Sequence, residues 1–157
     1  MQPTEDERVL AALAHAGVVV NLANLAGIIG TALILVYARG RSEFVRRHAI
    51  LALCYQVAVL LIGMLLLLAW VLSLALALLP AALRPELYAD SPPPLFWLAL
   101  WGGAIPLGFV LCAILYGLYG AAQTYRGRPF GYLLLGRLAQ PTAPAPEPAP
   151  ASPSEEP

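Results

Sequence analysis

Two histidines, His15 and His48, two cysteines, Cys54 and Cys112, and the acidic run Glu5-Asp6-Glu7 are the side chains here best suited to bind metal or move protons. A zinc-type site needs three or four ligands at short spacing. Each histidine instead flanks a span next to apolar residues, with no nearby Cys, Asp or Glu at ligand spacing, and the expected topology puts the two on opposite sides of a bilayer. Both are read as structural or interfacial. The cysteines lie inside apolar runs and form neither a CxxC motif nor a disulfide framework. The acidic run suits the first turn of a helix, where the dipole favours negative charge. No Ser/His/Asp or Cys/His arrangement, phosphate-binding glycine loop or paired carboxylates stand out. The expectation is a non-enzyme with no catalytic residue, no cofactor and no metal site.

Polar groups inside apolar runs form the second set. Asn21 and Asn24 stand three apart and share a helix face. An amide in hydrocarbon is costly unless paired. Two readings stay open: hydrogen bonding between helices, or the lining of a pathway. Small residues recur every fourth position at Ala23, Gly27 and Thr31, at Ala104, Gly108 and Cys112, and at Ala113, Gly117 and Ala121. Such stripes let helix backbones approach in lipid, although an Ala- and Gly-rich chain also produces them by chance.

The elements that position these residues follow from composition. Apolar residues make up 60% of the 157 and charged ones only 11%, against about a quarter in soluble domains. The mean hydropathy is +0.74. A chain so poor in charge could not cover its own surface in water, so the expected fold class is all-α, a polytopic helical membrane protein. The formal net charge of zero gives no basic field for nucleic acid. Residues 1–16 read as an amphipathic lead-in whose Thr4 and Glu7 form a capping box. Residues 17–139 read as a helical membrane domain with three spans, at about 17–37, 57–79 and 95–120.

Ser42 opens an interfacial amphipathic stretch over 42–56, with a single tilted helix over 43–79 as the alternative. Residues 80–94 hold five prolines and read as a loop. Pro106 predicts a kink, and 130–138 is too short to span. The Pro/Ala-rich tail, 141–157, is expected to be disordered. The acidic start lacks the basic region of a secretory signal, so no cleaved signal is expected.

With three spans, Arg39, Arg41, Arg46, Arg47, Arg126, Arg128 and Arg137 fall on one side and Arg8 and Arg84 on the other. The positive-inside rule then makes the C-terminus cytoplasmic. Should 17–37 form a re-entrant hairpin instead, the N-terminus moves to that side too. No Asp, Glu, Lys, Arg or His falls inside a proposed span, which weighs against a coupled transporter.

Three segments together resemble a known group. They are Glu7-Arg8 through His15-Ala16-Gly17; Ser42-Glu43-Phe44-Val45-Arg46-Arg47-His48-Ala49 with Ala52-Leu53 and Tyr55-Gln56; and Tyr125-Arg126-Gly127 with Tyr132 and Gly136-Arg137-Leu138. Their order resembles small bacterial membrane proteins of a domain-of-unknown-function family, similar to the Tic-twenty subunit of the chloroplast import translocon. The group commonly has Gln and then Asn where this chain has Leu51 and Cys54. The resemblance implies a multi-pass protein of the bacterial inner membrane with motif residues Arg8, His15, Phe44, Val45, Arg46, His48, Ala49, Gln56, Tyr125, Gly127 and Arg137. The functional expectation is a non-enzymatic subunit or scaffold of a membrane assembly. The alternative is an oligomeric pore or translocation-related component. Expected partners are membrane lipids and other membrane proteins or further copies of the chain.

Overall fold

In the computed structural model the described residues are 3–21, 25–128 and 130–132, and the regular structure among them is entirely helical. Five α-helices follow in order: α1 (Glu5–Val20), α2 (Ala26–Ala38), α3 (Glu43–Leu83), α4 (Pro94–Gly102) and α5 (Ala104–Tyr125), with a 3-10 turn at Pro85–Tyr88.

Helix α1 begins at the capping box. The Thr4 amide donates to the Glu7 carboxylate at 2.8 Å, and the Glu7 amide donates to the Thr4 hydroxyl at 3.3 Å. The Ser42 hydroxyl and the Thr4 amide hold the Glu7 carboxyl below its usual range. That carboxylate therefore ties the start of α1 to the start of α3.

The stretch 17–37 is divided between α1 and α2, not carried as one span. The physical reason is Asn21, the C-cap of α1. Its side-chain oxygen accepts from the Ile28 amide at 2.9 Å, satisfying a donor in the first turn of α2. The two helices then fold back on each other as a hairpin. The Thr31 hydroxyl of α2 donates to the Ala14 carbonyl of α1 at 3.1 Å. Gly17 and Gly27 meet where they cross, and a Cβ on Gly27 would overlap the Gly17 carbonyl oxygen.

Helix α3 runs unbroken for 41 residues, so no boundary separates an interfacial 42–56 from a span at 57–79. At 1.5 Å per residue it is about 60 Å long, twice a bilayer core. Its first turn is capped by Ser42, whose hydroxyl accepts from the Val45 amide at 3.3 Å. The helix passes Pro80 and ends three residues later. Within the third expected span the break falls at Gly103, between α4 and α5. Pro106 lacks an amide proton and its ring opposes the carbonyl four residues back, that of Gly102. Helix α5 closes on a Schellman motif. Gly127, at φ +69°, donates to the Thr124 carbonyl at 2.9 Å and Arg128 donates to that of Gln123 at 3.0 Å.

Two layers result along the long axis. In the basal layer α1 packs against α2, α3 and α5, with Ala14, Ala49 and Ala52 at the centre and Ile34 and Leu35 around them. Alanines at the centre let the α1 and α3 backbones come close. The distal layer is α3 beyond Gln56 laid against α4 and the start of α5. There Trp70 donates from its indole to the Ala99 carbonyl at 3.0 Å, and its ring stands beside Gly102 and Gly103.

The hairpin brings Glu7 to Ser42 and Arg8 to Gly127. Arg8 therefore stands at the same end as Arg39, Arg41, Arg46, Arg47, Arg126 and Arg128, and not with Arg84 as a three-span path requires. Two helical stretches, Glu43–Leu83 and Pro94–Tyr125, are long and apolar enough to cross a membrane. Helix α2, with 13 residues, is shorter. The count of spans met by length and composition is thus two among the described residues.

Candidate functional site

The basal layer encloses a chain of polar side chains that the sequence scatters over more than a hundred positions. His15 on α1 is fully buried, and its Nδ1 lies 2.8 Å from the Tyr132 hydroxyl. Its Nε2 lies 3.2 Å from Nδ1 of His48 on α3. Two proton arrangements satisfy both contacts: Tyr132 donates to His15 Nδ1 and His15 Nε2–H to His48 Nδ1, or His48 Nδ1–H donates to His15 Nε2 and His15 Nδ1–H to the Tyr132 hydroxyl. Burial, and after it the neighbouring His48, pull the His15 imidazole down to about 3, so it is neutral in ordinary buffers. Burial pushes the Tyr132 phenol up, so it keeps its proton.

Aromatic rings enclose this chain. Tyr132 stacks on Tyr55 at 3.9 Å with planes 6° apart, and meets Phe130 and Tyr116 edge-on. Phe44 lies 4.6 Å from His48, and Phe130 sits edge-on to His15. The Tyr55 hydroxyl donates to the Ala113 carbonyl of α5 at 2.7 Å. Among the described residues after α5, Tyr132 is held on the bundle by its stacked ring and its hydrogen bond, and Phe130 by edge-on contacts with His15, Tyr116 and Tyr119.

A second polar set lies one turn beyond His15. The Gln56 side-chain amide donates to the Ala14 carbonyl at 2.9 Å and to the Thr31 hydroxyl at 3.0 Å. Its oxygen accepts from the Asn21 amide at 3.0 Å. One glutamine thus joins α1, α2 and α3. Gly17 is crowded by the same groups, with Thr31 Oγ1, Gln56 Nε2 and the Gly27 carbonyl all within 3.1 Å of where a Cβ would stand.

The structure brings together His15, His48 and Gln56, with Val45 and Ala49 buried beside them and Phe44 against His48. The two histidines, expected on opposite sides of the bilayer, are in contact, because the hairpin carries α1 back along α3. Arg46 is exposed and forms a two-pronged pair with Glu43 at 2.7 and 2.8 Å. The aliphatic part of Arg8 lies against Gly127, and Tyr125 is exposed. Arg137, Ala23, Asn24 and the tail lie outside the described residues.

Among the other small residues, a Cβ on Gly117 would meet Val18, whereas nothing lies within 4 Å of one on Gly108. Asn21 uses its side chain on Ile28 and Gln56, a hydrogen bond between helices. Cys54 and Cys112 are exposed and take part in none of the hydrogen bonds described above. The Tyr132 clasp and the crossing at Gly17 were not singled out as site residues. A lone tyrosine in a short apolar segment and a glycine outside the fourth-residue stripes carry little signal.

Two imidazoles with no carboxylate or thiolate beside them are a poor cation site, and no cluster of three or more His, Cys, Asp or Glu occurs among the described residues. What the arrangement does is join helices. The class defined is a helical protein of membrane type, with two long apolar helices and an N-terminal hairpin bound to their basic ends. The chain belongs to the magnetosome magnetite crystal formation protein family, whose model matches residues 6–139. That match overturns the resemblance to the Tic-twenty-like group, and the link to protein translocation falls with it. The matched range includes all three of the segments quoted above. No curated protein and no solved structure matches the chain.

Proposed function

We propose that this protein is a non-enzymatic, two-span component of the magnetosome membrane that supports magnetite crystal formation as a small scaffold subunit. The observation that carries the reading is the family match, which covers the described bundle from Asp6 to Tyr132. The magnetosome membrane is a specialised invagination of the bacterial inner membrane. The exterior of the distal layer suits lipid: Leu65, Leu68 and Leu98 are each about two-thirds exposed or more, at 66%, 65% and 71%.

In this reading α3 and α4–α5 cross the bilayer, and the α1–α2 hairpin sits within the basal half. The clustering of Arg8, Arg39, Arg41, Arg46, Arg47, Arg126 and Arg128 at one end favours a cytoplasmic location for both termini. The Pro85–Tyr88 turn then faces the compartment interior. Lipids and neighbouring membrane proteins are the partners, and further copies of the chain are a third.

Deleting the gene in a magnetite-forming host should change the size or number of crystals, and complementation should restore them. Crystals unchanged in both respects would overturn the reading. Topology is checked separately by fusing a reporter that fluoresces only in the cytoplasm to residue 157 or ahead of residue 1. Both fusions should be bright, and a dark, well-inserted N-terminal fusion would restore the three-span path.

A further inference from the structure

We propose that the His15–His48–Tyr132 chain is a proton-operated clasp that holds the segment after α5 on the bundle when neutral and releases it on acidification. Three elements meet at His15, and the hydrogen bonds joining them are side chain to side chain. Tyr132 reaches the bundle by its hydroxyl on His15 and its ring on Tyr55. The nitrogens of the two histidines lie 3.2 Å apart, one donating to the other. Two protonated imidazoles cannot keep that geometry, because each nitrogen would then point a proton and a positive charge at the other.

The surroundings offer no compensation. Arg47 is the next residue along α3 and adds positive charge. The terminal segment contributes Tyr132 itself and Phe130, α3 contributes Tyr55 and Phe44, and α5 contributes Tyr116 and Tyr119. On α2 the titratable side chain is Tyr37, which is exposed and covered by Arg41. On α1 the charged groups Glu5, Asp6, Glu7 and Arg8 lie about two turns or more back, Glu7 engaged with Thr4. Proton uptake by the pair is thus relieved only by opening it to water. A histidine returned to its ordinary value near 6.5 favours the open state about thirtyfold more at pH 5.0 than at pH 7.5.

Gly131 is exposed between Phe130 and Tyr132, so a nitroxide there reports on the clasp without filling it. The full chain carrying Gly131→Cys, with Cys54→Ala and Cys112→Ala, would be spin-labelled in lipid nanodiscs. Its spectrum should be immobile at pH 7.5 and shift to a component at least threefold more mobile at pH 5.0. Tyr132→Phe should be mobile at both values. His48→Gln, which retains an acceptor facing His15, should weaken the response to acid, and His15→Gln with His48→Gln should abolish it. If the double variant does not fold, His48→Gln alone decides. Unchanged mobility in the parent, or an undiminished acid response in the histidine variants, would overturn the clasp.

Discussion

The basal and distal layers share the same two long helices and much the same supply of Leu, Ala and Gly, yet only one of them has an interior. Along α3, Val45, His48, Ala49, Leu51, Ala52 and Gln56 are buried, whereas beyond Gln56 the buried residue among those described is Ala77. The α1–α2 hairpin makes the difference. It adds two helices to the basal layer, which puts small residues at crossings and polar side chains within reach of partners. The distal layer keeps its leucines outside, where lipid can cover them, and its described interhelical side-chain hydrogen bond is that of Trp70. In a membrane-type protein, an interior is recognised by close backbone approach and satisfied polar groups more than by hydrophobicity.

That contrast can be broken most severely at Gly27. Gly27→Leu drives a side chain into the Gly17 backbone, and detergent unfolding should show a loss of about 3 kcal/mol or more. A loss below about 1 kcal/mol would mean the hairpin crossing is not tight. Gln56→Leu comes next, at about 2 kcal/mol, because it strips the acceptor from Asn21 and a donor from both Ala14 and Thr31. A smaller effect with Asn21→Ala already in place would confirm the coupling.

Acid should sharpen the comparison by acting on the basal layer alone. The folded value of His15 is lowered to about 3 from 6.5, so the unfolded chain takes up the proton first. The contribution of His15 to stability is therefore full above about pH 6.5 and falls below it, by at most about 1.4 kcal/mol per unit, until roughly pH 3. Unfolding measured from pH 7.5 to 4.5 should show this slope, and His15→Gln should flatten it. In the distal layer, Trp70→Phe loses one hydrogen bond and should cost about 1 kcal/mol. The smallest change is expected from Gly108→Leu. It has open space where Gly27 has backbone, so its effect should stay within about 0.5 kcal/mol. A large loss there in lipid, with none in dilute detergent, would reveal a contact between copies at that face.

The sequence itself determined what depends on local chemistry. Low charge and long apolar runs make the chain helical, Thr4 with Glu7 starts α1, Ser42 starts α3, and Pro106 interrupts the run from 94 to 125. These signals act within a few residues of themselves and need no partner. Tertiary structure alone decided whether 17–37 crosses or turns back. The apolar run is long enough to span, but Asn21 can cap Ile28 only if the chain reverses, and its amide finds an acceptor only when Gln56 of α3 is there. The pairing of His15 with His48 and Tyr132 was hidden for the same reason. Periodicity shows that a residue faces inward, but not which residue a hundred positions away will face it. That is fixed by how closely Gly17, Gly27 and Gly117 let the helix backbones approach.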